Sequence, residues 1–198
     1  MSYFIRQFGD PEGITGRMLG KLMSLSNRKM HRAVLKELCS PVTLLEIGFG
    51  AGSQLEMISK RYPGTTLYGI DISKDMLCCA KKRLETRAVL SSGRIEKTDY
   101  PDGFFDTVIT TDTCYFWTDA VKALNEIKRI TKPGGRLIIA YNLLYAAFVH
   151  RTNSDCKMYN DAAIIKLCEN ADMKVLSQRS CGFKQKVFVI SIQKEQRE

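Results

Sequence analysis

Three glycines alternate in Glu46-Ile47-Gly48-Phe49-Gly50-Ala51-Gly52, directly after the apolar run Val42-Thr43-Leu44-Leu45 and before a helical pattern. Glycine there supplies positive φ or a close backbone approach, as a sharp strand-to-helix turn requires. The free amides at the start of the next helix then face whatever occupies the turn. Such a turn suits a nucleotide-bearing ligand. The dinucleotide fingerprint G-x-G-x-x-G would put a glycine at position 53, where this chain has Ser53. On its own the turn also fits other nucleotide-binding domains, or a purely structural bend. Asp71 narrows the choice. It ends the apolar run Thr66-Leu67-Tyr68-Gly69-Ile70, where a carboxylate at the carboxyl end of a strand can accept from both hydroxyls of a ribose. The plainer reading is an acid flanking a helix in Asp71-Ile72-Ser73-Lys74-Asp75.

The elements that must position these groups alternate between short apolar strands and amphipathic helices, which predicts a parallel sheet covered on both faces. A helical pattern over 14–39 ends at Ser40-Pro41. A strand over 42–47 and a helix over 52–61 flank the glycine turn. A second strand over 66–70 leads to a helix over 74–87, with Ser73 as its cap. A third strand is sought in Arg94-Ile95-Glu96-Lys97, after the turn Ser91-Ser92-Gly93. The fourth strand is Phe105-Asp106-Thr107-Val108-Ile109-Thr110, followed by a helix over 119–131 with Thr118 as cap. Lys132-Pro133-Gly134-Gly135 turns that helix into a strand over 136–141. A helix over 159–171 and two strands, 173–178 and 186–193, finish the chain as an antiparallel hairpin.

The 198 residues suffice for one α/β domain with its own core, and 44% hydrophobic with 26% charged content is ordinary for a folded domain. No apolar run approaches the roughly 18–20 residues of a membrane span, and the first residues carry no secretory stretch, so a cytoplasmic chain that does not enter a membrane is expected. Seven cysteines are scattered without a Cys-x-x-Cys pair; reduced thiols are expected, with neither a metal site nor a disulfide framework. The net charge of +9 admits a polyanion partner. Many cations, Lys81, Lys82, Arg83 and Arg87 among them, are instead explained by helix ends.

Leu45–Gly52 resembles the first motif of class I S-adenosylmethionine-dependent methyltransferases, an acid followed by G-x-G-x-G. Gly69-Ile70-Asp71-Ile72-Ser73 is similar to the ribose-binding strand end of that family. Asp102-Gly103-Phe104-Phe105-Asp106-Thr107-Val108 is similar to its fourth strand, and Leu124 to Arg136 to its next helix and strand. The resemblance runs from about 40 to 193. It implies a Rossmann-like doubly wound seven-stranded sheet of order 3-2-1-4-5-7-6 with strand 7 antiparallel. It further implies S-adenosylmethionine as cofactor. By this resemblance Glu46 orients the methionine amino end, and Gly48, Gly50 and Gly52 pack against the cofactor. Asp71 and Ile72 lie at the ribose, and Thr111 approaches the methionine portion.

With the third strand over 94–97, residues 99–104 would span at most about 20 Å, against a crossover of about 22 Å. Strand three is therefore expected to be shortened, shifted or missing, Thr98 and Asp99 are the residues left for the adenine, and weak cofactor affinity follows. Residues 41–198 form the expected methyltransferase domain, and 1–40 a helical segment placed to close over the cofactor as a lid. Methyl transfer needs alignment more than covalent help, so no catalytic residue is assigned. The acceptor side offers Asp112, Tyr115, Trp117, Tyr141, Asn142, His150 and His31, each also explicable as packing. Thr110-Thr111-Asp112-Thr113 stands where amino-methylating nucleic-acid enzymes carry Asn/Asp-Pro-Pro-Tyr. A small-molecule acceptor is expected first. An RNA or protein acceptor, or a cofactor-binding protein with weak or no activity, are the alternatives, and the oligomeric state is open.

Overall fold

A computed structural model describes Gly13 and residues 27–152 and 156–192. The elements are α1 (Arg28–Glu37), β1 (Thr43–Ile47), α2 (Ser53–Arg61), β2 (Thr66–Asp71), α3 (Lys74–Leu84) and β3 (Val89–Ser92). They continue with β4 (Phe105–Thr111), a 3-10 turn (Cys114–Phe116), α4 (Ala120–Ile130) and β5 (Thr131–Asn142). The last are α5 (Leu143–Thr152), α6 (Asp161–Asn170), β6 (Met173–Gly182) and β7 (Gln185–Ile192). One seven-stranded sheet has the order β3-β2-β1-β4-β5-β7-β6. β7 runs antiparallel to both β5 and β6, while the other described pairings are parallel.

Strand pleating divides the core in two. Leu45, Val108, Leu137 and Ile139 face one side, where α4 brings Leu124, Ile127 and Ile130 and α6 brings Ile164 and Cys168. Their chain neighbours Leu44, Ile109 and Ile138 face the other, against Met30 and Val34 of α1, Leu55 and Ile58 of α2, and Ala80 and Leu84 of α3. Successive strand residues point to opposite faces, so a sheet buried on both sides needs continuous apolar runs, as β1 and β5 have. α1 is thus part of the core. The remainder of the expected helix, 14–26, lies outside the described residues, as do 1–12, so most of the segment expected as a lid does too.

The helix starts follow ordinary capping. Ser73 accepts from the Met76 amide at α3 and Asn160 from the Ala163 amide at α6. At α4 the cap is Asp119, which accepts from the Val121 and Lys122 amides, and not Thr118 as expected. The Thr118 hydroxyl is engaged elsewhere, donating to Glu96. The helix α5 was not foreseen. Asn142 begins it, its side-chain oxygen accepting from the Leu144 amide at 3.0 Å.

The third strand is present but lies earlier than 94–97. Val89–Ser92 pairs with Tyr68–Asp71 along a four-residue strand. As an edge strand it exposes Val89 and Ser92, so its sequence lacks the buried run that marks the inner strands. The shift lengthens the crossover to residues 93–104, which can extend to about 40 Å. The length conflict disappears, and with it the reason to expect weak cofactor binding.

That crossover is clamped to α4. Glu126 accepts from the Thr98 amide (2.8 Å) and hydroxyl (2.6 Å) and from Arg129 Nε (2.9 Å). Arg129 also reaches Asp102 at 2.5 Å, and Tyr100, Phe104 and Phe105 pack edge-on around Tyr68. Thr98, expected at the adenine, is therefore a structural tie. Arg129 holds the Glu126 carboxyl down to about 2 from an ordinary 4.5. A carboxyl depressed in the fold contributes stability above its unfolded pKa and loses it as pH falls toward the folded value. Glu126→Ala should therefore cost about 1–2 kcal/mol at pH 7, allowing for partial exposure. The difference from the parent chain, measured by urea unfolding, should shrink between pH 5 and pH 3.

Candidate active site

The carboxyl ends of β1, β2, β3 and β4 open into one cleft of about 150 Å3, where ligands bind in sheets of this winding. β1 lies between β2 and β4, so its glycine turn is flanked by Asp71 on one side and Thr111 on the other. Gly48 has φ +71°, and a Cβ there would stand 2.2 Å from Thr113 Cγ2. Gly52 has φ +77°, and its hypothetical Cβ would meet Ala80 and Leu84 at 3.1 Å. Both positions are closed to a side chain by conformation and by space. The Gly50 amide donates to Asp71 Oδ2 at 2.8 Å, while Asp71 Oδ1 accepts from the Ser73 amide at 2.9 Å. One carboxylate thus fixes both the turn and the start of α3.

Glu46, Gly48, Gly50, Asp71, Ile72 and Thr111 all line the cleft. Gly52 stands behind it, where the turn enters α2 and packs on α3. Thr98 and Asp99 are not among the lining residues. Their place is taken by Gly93, Arg94, Ile95 and Glu96. With β3 ending at Ser92, the carboxyl-end rule would have pointed to these four residues.

The acid Glu46 is 2% exposed. Burial, and then the charge of Asp71, push its carboxyl well above the ordinary range, and its Oε2 has no hydrogen-bond partner among the described residues. A buried oxygen without a donor is costly, so this atom is a ready acceptor for a ligand cation or N–H. Thr111 donates from its hydroxyl to Gln54 Oε1 at 2.9 Å. Asp112 follows at φ +55°, 5% exposed. Its amide donates to Ala140 O (2.9 Å) and its Oδ1 accepts from the Asn142 amide (2.8 Å). Burial pushes Asp112 up to about 6, with the Asn142 amide, Tyr115 and Asn27 opposing.

His31 reaches the cleft from α1. Burial lowers it to about 4, so the imidazole is neutral near pH 7, and Nδ1 has no partner among the described residues. Trp117 closes the far wall with Phe116, and its indole Nε1 is likewise buried without a partner. The other acceptor-side candidates do not line the cleft. Tyr115 is buried beside it, Tyr141 bonds to Asp161, Asn142 caps α5, and His150 bonds the Cys156 carbonyl at 2.6 Å. Asn27, Met76 and the 93–96 stretch were not singled out from the sequence. Among the described residues no group of His, Cys, Asp or Glu is arranged to hold a metal, and no helix is long and apolar enough to cross a membrane.

Comparison with known proteins agrees with this geometry. Residues 45–139 match the family model described as a methyltransferase domain. An uncharacterized methyltransferase of Bacillus subtilis, YdaC, is 33% identical over 123 residues, covering 61% of this chain and 68% of that protein. A demethylmenaquinone methyltransferase of Thermus thermophilus is 30% identical over 126 residues, and this chain spans 56% of its length. A SAM-dependent methyltransferase structure from Aquifex aeolicus superposes with a TM-score of 0.72 at 21% identity, covering 96% of this chain and 97% of that one. The fold, the glycine turn and the identity to these relatives together place this chain in the class I S-adenosylmethionine-dependent methyltransferase family.

Proposed function

We propose that the enzyme methylates a small molecule, which enters the cleft beside Thr111 and is enclosed by His31, Phe116 and Trp117. The observation that carries this reading is the lining beside Thr111. α1 and the loop after β4 both reach the cleft, so that His31, Phe116 and Trp117 border the space next to the methionine end. The relative named for demethylmenaquinone supports an acceptor that is neither nucleic acid nor protein. An RNA or protein acceptor draws only on the +9 charge, and part of the basic side chains are engaged in ion pairs, such as Arg83 with Glu56 and Lys132 with Asp106.

When bound, S-adenosylmethionine supplies a methyl group on a sulfonium, open to displacement by a nucleophile. Glu46 Oε2 receives the methionine ammonium, the donor it lacks in the fold, and the residues of the glycine turn lie along the methionine portion. Asp71 receives the ribose hydroxyls on whatever lone-pair capacity the turn leaves, with Ile72 beside it. Gly93 to Glu96 border the adenine, and Thr111 borders the methionine end. Asn27 and His31, at the start of α1, border the site and help exclude water, and 41–198 is the part we assign to the catalytic domain, with 1–40 as its helical cover. Rate then comes from alignment in a dry, shaped site, not from a covalent intermediate.

The acceptor is tested by following label from methyl-tritiated S-adenosylmethionine into small-molecule, RNA and protein fractions of an extract. Label in the small-molecule fraction is expected; label confined to RNA or protein would overturn the reading. Glu46→Gln should weaken S-adenosylmethionine binding at least about tenfold by calorimetry, through loss of a charge-assisted bond. Gly48→Ala should abolish measurable binding, because its Cβ drives Thr113 out of place. Adding Thr113→Ser, which removes the clashing methyl, should restore part of it.

A further inference from the structure

Three buried carboxyls line the cleft, Glu46, Asp71 and Asp112. Both oxygens of Asp71 are engaged by the Gly50 and Ser73 amides, whereas Glu46 and Asp112 form no ion pair with a lysine or arginine among the described residues. Burying an acid away from a cation is expensive, and such a site is relieved by a ligand that brings the charge. S-adenosylmethionine carries two positive centres, the ammonium and the sulfonium. Glu46 is placed for the first. Asp112 directly follows Thr111 at the end of β4. The close approach of Gly48 to Thr113 presses the 111–113 bend against the glycine turn, on the side away from Asp71.

We propose that Asp112 faces the sulfonium and makes the cleft prefer the charged donor over the neutral product, S-adenosylhomocysteine. This rests on the placement of the methionine end between Glu46 and Thr111 given above. The backbone supports a specific role. Asp112 holds a left-handed conformation, φ +55°, which side chains other than Asn and Asp rarely adopt, and its Oδ1 is tied to the Asn142 amide, so the carboxylate is fixed in place.

The ionisable groups around Asp112 do not compete with it between pH 5 and pH 8. Cys114 and Tyr115 in the 3-10 turn, Tyr145 on α5 and Cys181 on β6 are all raised, by burial first and by the Asp112 charge as well. They remain neutral, as does His31 from α1. Burial and the Asp71 charge raise Glu46 on β1, but it meets the ammonium, which donor and product share. Its effect therefore cancels in the ratio of their affinities. What remains in that ratio is the sulfonium and whatever carboxylate faces it.

Calorimetric titration with S-adenosylmethionine, S-adenosylhomocysteine and sinefungin, which has an ammonium where the donor has its sulfonium, reads this directly. As pH rises through about 6, the preference for the donor over the product should grow about tenfold, one unit of pKa displacement. Sinefungin should follow the donor. Near pH 5.5 donor binding should release about half a proton more than product binding by linkage, read from the heats in buffers of different ionisation enthalpy. In Asp112→Asn, which keeps Oδ1 for Asn142 and tolerates the left-handed backbone, the preference should be small and flat with pH while product affinity is retained. Equal pH profiles for donor and product in the parent chain would overturn the proposal, as would an unchanged profile in Asp112→Asn. If that variant does not fold, the proton release of the parent chain decides. Failure of all three ligands to bind would instead reject the cofactor placement itself.

Discussion

The site depends on how closely the ends of β1 and β4 approach each other. Gly48 leaves β1 in a left-handed conformation with Thr113 where its side chain would have been, and no other residue type permits that. From this one approach follow the direction of the turn, the entry into α2, and the inward position of Thr111 and Asp112. Asp71 then braces the opposite side, holding the Gly50 amide with one oxygen and the Ser73 amide with the other. The turn is fixed by two neighbouring strands, so its geometry belongs to the sheet more than to the loop.

The sheet can bear this because both faces are covered. Consecutive residues of β1, β4 and β5 feed opposite cores, so the carboxyl ends are set by packing along their whole length. Strain at the rim, such as the positive φ of Asp112, is tolerated where the surrounding strands over-determine the backbone. Polar groups gather there because the last turn of each strand is the only place they can be buried and still meet a ligand. The same rim concentrates Glu46 Oε2, His31 Nδ1 and Trp117 Nε1, which have no hydrogen-bond partner among the described residues.

Much of this was legible in the chain itself. The inner strands showed as unbroken apolar runs because they are buried on two faces, and the glycine turn with Glu46 and Asp71 marked the rim. The terminal strands showed as a hairpin around Gly182. Reading failed where burial is weak. β3 is an exposed edge whose Ser91-Ser92-Gly93 imitates a turn, and misplacing it moved the expected adenine contacts from Gly93–Glu96 to Thr98 and Asp99. The cap of α4 went to Asp119 because Glu96 engages Thr118, a contact between segments distant in sequence. His31 was expected on the acceptor side from a helix closing over the cofactor, and its actual place in the cleft wall depends on α1 packing over the sheet, which no local pattern encodes.

Trp117 is the only tryptophan in the chain, and it lines the cleft with its indole nitrogen unbonded among the described residues. All tryptophan emission from this protein therefore originates at the ligand site. A change in its intensity or wavelength reports events in the chamber without any label being attached, and a ligand acceptor for the indole N–H would shift it directly. The enzyme carries its own optical probe, positioned by the same loop that forms the wall.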